Sequence, residues 1–198
     1  MRRNRRPPSP ARGSGRTGPG PVALTGTPGV GKSAVGRALA GRRRVVEVGR
    51  LADRLGAARS VAGGREVDLA RLRRALRSPS AFAGAEVVVG HLAHLLPVRE
   101  ALVLRCRPVE LVRRLERARR GTRADRQENY VAEALDLVLR EAVGRGLRVF
   151  EIDTTRRSVE SVAREVDRWL VRRGRDRRGV VDWLGDRAVT EHLLDPTV

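Results

Sequence analysis

The chain has 198 residues, enough for one domain of about 150 residues with tails, and carries 42 basic against 23 acidic side chains, a formal charge of +19. Hydrophobic residues make up 40%, which excludes wholesale disorder, and no apolar run approaches the roughly 20 residues of a membrane span. One cysteine, Cys106, excludes an internal disulfide framework or a multi-cysteine zinc site, and the N-terminal arginines lack the apolar stretch of a secretory signal, so a soluble, cytoplasmic protein with no membrane partner is expected.

Residues 1–20 hold six arginines and no acid among Pro, Gly and Ser, and read as a disordered basic arm. Ordered structure begins at Pro21-Val22-Ala23-Leu24-Thr25, a buried-strand pattern, followed by a glycine-rich turn and a helix from Lys32 to Ala40. Val45–Val48 reads as a second strand. Leu69, Leu72 and Leu76 share one helical face, closed by Ser78-Pro79. Glu86–Gly90 is a third strand and Ala101–Arg105 a fourth, both apolar at successive positions, as a doubly covered parallel sheet requires.

Pro108 opens a helix with Leu111, Val112 and Leu115 as its apolar face, and arginine-rich residues 117–127 interrupt the pattern. A helix resumes near Tyr130 and runs to about Val143. Leu147–Ile152 is a fifth strand, and Ser158 caps a closing helix to Val171. Strands alternating with helices predict an α/β domain over 21–171 with a mostly parallel five-stranded sheet. Residues 172–198 form an arginine-rich C-terminal extension, five of its arginines lying within 172–178. Its weak amphipathic segment around Trp183, Leu184, Leu193 and Leu194 can dock on the domain or stay loose.

Gly26-Thr27-Pro28-Gly29-Val30-Gly31-Lys32-Ser33 satisfies G-x-x-x-x-G-K-S/T in every fixed position, between a strand and a helix. Glycines free backbone N–H groups to wrap a phosphate, and the helix N-terminus adds partial positive charge. Lys32 reaches the β- and γ-phosphates and the Ser33 hydroxyl ligates Mg²⁺. Lys32 is the only lysine in the chain. A sequence that uses arginine at every other basic position keeps the compact ammonium where a branched guanidinium would not fit.

Thr25 to Ser33 resembles the phosphate loop of the adenylate kinase isoenzyme 6 family, nucleoside monophosphate kinase-like proteins associated with small ribosomal subunit maturation. Val48-Gly49-Arg50-Leu51-Ala52, Gly90-His91-Leu92-Ala93-His94-Leu95-Leu96-Pro97, Glu128–Asp136 and Glu151-Ile152-Asp153-Thr154-Thr155 are similar to further stretches of that family, in order and spacing. The resemblance implies a P-loop NTPase fold with strand order 2-3-1-4-5, flanked by helices. It further implies a monophosphate-binding region at about 48–72 and a short lid at about 119–129. It implies adenylate kinase activity (ATP + AMP = 2 ADP) with ATPase side activity, and Mg²⁺ with ATP. A small-subunit ribosomal protein, and 16S rRNA, are its implied partners. By position, Gly29, Gly31, Lys32, Ser33 and Ala34 would contact the ATP phosphates, and Arg120 would be the lid arginine, with Arg117, Arg119 and Arg123 as competitors.

His91 fits a role in positioning water or standing beside Mg²⁺, or else merely bonds within its turn. Asp153, Thr154 and Thr155 either border the adenine or form an ordinary turn. Cys106 reads as a small buried apolar residue. The family's usual acid two positions before this histidine is Val89 here, and Asp153 or Glu86 would have to substitute for it. An aspartate usual in the monophosphate region is Arg50. These departures keep open an ATPase-type ribosome assembly factor with little kinase activity, binding a ribosomal protein or rRNA.

Overall fold

The computed structural model describes residues 20–61 and 64–194, so the expected arm lies outside the described residues except for Gly20. In chain order the elements are β1 (Val22–Thr25), α1 (Lys32–Leu39), β2 (Val45–Glu47), α2 (Val48–Arg54), β3 (Ala58–Val61), β4 (Gly64–Val67) and α3 (Leu69–Ala75). There follow β5 (Val87–Val89), β6 (Glu100–Arg105), α4 (Pro108–Arg117), α5 (Arg123–Ala134) and α6 (Leu137–Gly144). The series closes with β7 (Arg148–Asp153), α7 (Val159–Arg172) and α8 (Arg187–Leu194).

The main sheet runs β2-β5-β1-β6-β7 with every neighbouring pair parallel. Counting only these five strands in chain order gives 2-3-1-4-5. The labels shift because β3 and β4 form a separate antiparallel hairpin, which the sequence pattern did not suggest. Side chains alternate across a strand, and this alternation divides the core. Val22, Leu24, Val87, Val89, Leu102 and Leu104 face α1, α4 and α7. Ala23, Val88, Ala101, Val103 and Val149 face α2, α3 and α6. Both faces are covered, which is why the strands read as continuous apolar runs.

Three boundaries differ from expectation. Val48 starts α2 rather than ending β2. Helix α5 begins at Arg123, inside the stretch read as an interruption. A capping box starts it: the Asp125 amide donates to Thr122 Oγ1 (3.1 Å), and the Thr122 amide donates to the Asp125 carboxylate (2.7 Å). The cap supplies what this helix lacks in apolar periodicity. The helix expected from Tyr130 to Val143 is two helices, parted at Asp136 with φ of 57°. Ser158 caps α7 as expected, accepting from the Ser161 amide at 3.2 Å.

Of the two courses left open for the C-terminal extension, the structure takes docking. The Arg177 amide donates to the Val149 carbonyl (2.8 Å) and the Glu151 amide donates to the Arg177 carbonyl (2.9 Å). The strap thus bridges the outer edge of β7. The Val149 amide donates to Asp176 Oδ1 at 2.8 Å. Trp183 and Val189 then pack with Tyr130 and Ala134 of α5 in a satellite core. Arg107 grips Asp186 with two bonds, from Nε at 2.6 Å and Nη2 at 2.9 Å.

Candidate functional site

Strand β1 ends between β5 and β6, where successive connections leave in opposite directions. Open α/β sheets hold ligands at such a switch point, beyond the carboxyl ends of the strands. The loop Gly26–Gly31 occupies this place and leads into α1. Gly26, at φ 138°, admits no side chain: a Cβ would lie 2.3 Å from the Leu104 carbonyl oxygen. No side chain caps α1, and its first turn contains no acid. Its leading amides, around Lys32, Ser33 and Ala34, are therefore available to an anion.

Lys32 is buried. Its Nζ donates to the Gly26 carbonyl (2.7 Å) and the Thr27 carbonyl (2.8 Å). Burial lowers its pKa from the ordinary 10.5 to about 7, partly opposed by the charge of Glu133 and reinforced by Arg120. Two neutral carbonyls thus hold an ammonium that would prefer an anion.

Arg120 enters through that same electrostatic effect. It lies at the turn after α4, where its amide donates to the Leu115 carbonyl (2.9 Å), and its positive charge acts on Lys32. Arg117 ends α4 and Arg123 starts α5. Of the segment 119–129 expected as a lid, only the residues before Arg123 lie outside helix. Thr154 joins the end of β7 to the loop. Its hydroxyl contacts the carbonyls of Val30 (3.0 Å) and Arg105 (2.8 Å).

His91 follows β5 at the mouth of the site. Partial burial first, then the charges of Lys32 and His94, hold its imidazole below the usual range. His94 is buried instead. Its Nδ1 pairs with Thr25 Oγ1 (2.8 Å) and its Nε2 with Glu141 (2.8 Å). The Thr25 hydroxyl also donates to the His91 carbonyl (3.2 Å), tying this turn to β1. His94 is thus a structural brace, and among the described residues no group of three or more His, Cys, Asp or Glu could hold a metal ion. Burial pushes the Cys106 thiol up to about 11, as suits a buried apolar residue rather than a nucleophile.

The two carboxylates considered as substitutes at Val89 are engaged elsewhere. Glu86 lies at the amino end of β5, accepting from the Arg44 amide (3.0 Å) and from Arg43 (3.3 Å). Asp153 accepts from the Thr155 amide (2.8 Å), which makes 153–155 a self-bonded turn. Val89 itself is buried against Gly36 of α1.

One carboxylate does reach the loop, and its role was not legible in the sequence. Glu133 of α5 is buried, and its Oε2 accepts from the Thr27 hydroxyl at 2.5 Å. Its Oε1 accepts from Arg105 Nε (2.8 Å), the Cys106 amide (3.0 Å) and Trp183 Nε1 (3.3 Å). Burial pushes the Glu133 carboxyl up, and the adjoining Arg105 guanidinium pulls it back. Arg105 also binds Glu151 (2.5 Å) and Asp136. The available signal was its spacing: three positions after Tyr130, Glu133 lies on the inward face of α5.

A buried lysine and a glycine loop, set between a strand and an uncapped helix at a sheet's switch point, define a P-loop phosphate-binding α/β protein. A family model described as "AAA domain" matches residues 22–136. Several archaeal proteins named "Putative adenylate kinase" match most of the chain. That of Archaeoglobus fulgidus is 39% identical over 172 residues, covering 83% of this chain and 92% of its own. That of Thermococcus onnurineus is 36% identical over 165 residues, covering 82% and 90%. That of Natronomonas pharaonis is 36% identical over 178 residues, covering 87% and 99%. The chain belongs to this family of archaeal adenylate kinase-like P-loop proteins.

Proposed function

We propose that this protein transfers the γ-phosphoryl group of ATP to AMP, giving two ADP. The observation that carries the reading is Lys32, a buried ammonium held, among the described residues, by two loop carbonyls at the start of an uncapped helix. Triphosphate oxygens satisfy that ammonium and the leading amides of α1 together. The name borne by the relatives favours AMP as acceptor.

In the transfer, an oxygen of the AMP phosphate forms the new bond to the γ-phosphorus. The bond from that phosphorus to the β,γ-bridging oxygen breaks, and its electron pair leaves with ADP. Lys32 neutralises charge on the β- and γ-oxygens, and Arg120 adds its guanidinium from the lid side. Gly29, Gly31, Ser33 and Ala34 hold the phosphates by their backbone amides. The residues present fit Mg²⁺, which keeps several waters and takes few protein ligands. Ser33 would hold it with phosphate oxygens, and it would spread the transferring charge. His91, near Lys32 and held neutral by its setting, would accept or donate hydrogen bonds to water at the γ-phosphate.

A second reading is favoured by Val89, whose side chain is turned into the core at a position usually acidic in the family. It is an ATP-hydrolysing assembly factor that grips a small-subunit ribosomal protein or rRNA. One assay decides: full-length protein with Mg-ATP, with and without AMP, following ADP and free phosphate separately. AMP-dependent ADP without phosphate release is the expected result. Phosphate release indifferent to AMP would overturn the kinase reading in favour of the second.

A further inference from the structure

The buried bonds around Glu133 join parts of the chain that are far apart in sequence. On one side Glu133 Oε2 accepts a hydrogen bond from the Thr27 hydroxyl, and the Thr27 carbonyl accepts one from Lys32 Nζ. On the other side Glu133 Oε1 accepts a hydrogen bond from the indole N–H of Trp183, which belongs to the strap after α7. The strap is fixed independently of this contact. Arg177 is bonded to β7 on both sides, and the Val180 amide donates to Glu151 Oε2 (2.8 Å). Glu151 and Glu133 are bridged in turn by one cation, the buried Arg105. The carboxylate therefore accepts from Thr27, Arg105, Cys106 and Trp183, and only Thr27 belongs to the phosphate loop.

A buried carboxylate is held still by the sum of its donors, and each missing donor leaves a lone pair unsatisfied. Trp183 is the donor that the C-terminal extension adds. Its ring also packs among Tyr130, Ala134 and Val189, so the strap closes over the same helix that carries Glu133. Thr27 lies between Gly26 and Pro28, and among the described residues its side chain is tied by the bond to Glu133.

We propose that Glu133 and Trp183 are positioning residues of the phosphate loop: the C-terminal strap immobilises Glu133, and Glu133 fixes Thr27 so that the loop stands ready for phosphates. The inference rests on the reading of the loop as an ATP site, and adds to it a control point 156 residues downstream of Thr27.

The test uses the full chain and conservative substitutions. Thr27→Val and Trp183→Phe each remove one donor and keep the bulk, while Thr27→Ser restores a hydroxyl. Two quantities are read at a temperature where thermal melting shows every variant folded: Mg-ATP affinity by calorimetry, and hydrogen exchange of the loop amides without nucleotide. Thr27→Val should weaken ATP about tenfold, the equivalent of ~1.4 kcal/mol. Trp183→Phe should weaken it about threefold, and Thr27→Ser should stay within about twofold of wild type. Loop amides should exchange faster in Thr27→Val and in Trp183→Phe. The double variant should fall short of the product of the single effects, because both act through Glu133. Unchanged affinity and exchange in folded Trp183→Phe, or fully multiplicative effects, would overturn the proposal. If wild type binds no ATP while exchange still couples Trp183 to the loop, the nucleotide reading fails and the lock stands.

Discussion

Lys32 makes nucleotide affinity depend on pH in a direction that can be worked out in advance. In the free protein its ammonium titrates at about 7 because burial penalises the charge. In the bound state phosphate oxygens surround it and keep it protonated. Binding then requires the charged form, and the apparent Kd grows as one plus ten to the power of pH minus 7. That factor is about 4 at pH 7.5 and about 100 at pH 9, so affinity should fall about 25-fold across the interval. The terminal phosphate of ATP is already fully ionised there and contributes no slope of its own. The same lysine burdens the empty fold. Its folded value lies below the unfolded one, so the unfolded chain binds more protons between pH 7 and 10.5, and stability rises with pH across that window. The burden is fully present below pH 7, where the drop from 10.5 to about 7 corresponds to ~5 kcal/mol. Calorimetric titrations with ATP at constant ionic strength measure the first effect, and urea unfolding of Lys32→Met at pH 6 the second. Lys32→Met should lose ATP binding and yet unfold at higher urea than wild type. An affinity that stays flat from pH 7.5 to 9, together with an unstabilised Lys32→Met, would refute the view of Lys32 as a buried ammonium awaiting phosphate.

Three further outcomes follow from the packing. Gly29 sits at φ 98°, and a Cβ there would stand 3.1 Å from Leu111 and Leu115 of α4; Gly29→Ala should cost about 1–3 kcal/mol in chemical unfolding and weaken ATP binding. Val89→Asp, which places an acid where the resembled family usually carries one, should not raise turnover. It would bury an unpaired carboxylate against α1 and lower stability by about 3 kcal/mol or more, and a gain in turnover at unchanged urea midpoint would contradict this. Arg105→Leu removes the cation shared by Glu133, Glu151 and Asp136. It should cost about 3–5 kcal/mol, lowering Tm by roughly 6–20 °C, and a shift of only a degree or two would show that the cluster is not a buried ionic unit.

Legibility in the sequence followed locality. The three central strands β1, β5 and β6 carry continuous apolar runs, and the phosphate loop is eight consecutive residues, so both could be read directly. The hairpin β3–β4 could not. Arg59, Ser60 and Val61 are exposed, so the strand carries no alternation that betrays a buried face. Helix α5 hid its beginning because a Thr–Asp capping box starts it, while its apolar face begins only near Tyr130. Glu133 was within a stretch similar to the family, yet nothing in a single acidic residue tells that Thr27, Arg105 and Trp183 will converge on it. Those partners stand 106, 28 and 50 positions away. The fate of the strap was equally open, because its backbone bonds to β7 are announced by no side-chain pattern and its side-chain partners, Val149, Arg107 and Tyr130, lie far away in sequence.

The positive charge, first a property of the whole chain, gains a location from the pairing of its arginines. Arg43 meets Asp167 and Glu86, Arg107 meets Asp186, and Arg157 and Arg177 share Glu165. Arg105 is spent inside the core. These pairs consume acids of α7 and of the strap and the one just before β5. Around the turn from α4 to α5, Arg117, Arg119, Arg120 and Arg123 are all exposed, and none is in an ion pair among the described residues. Part of the uncompensated charge, beside that of the exposed arginines Arg71, Arg73, Arg74 and Arg77 around α3, therefore lies at the turn whose Arg120 acts on Lys32. A cationic rim beside a phosphate loop raises the local concentration of polyphosphates and loses that effect as salt screens it within about 10 Å. The arginines that pair hold the fold together, and of those left over at this turn Arg120 is the one whose charge reaches Lys32.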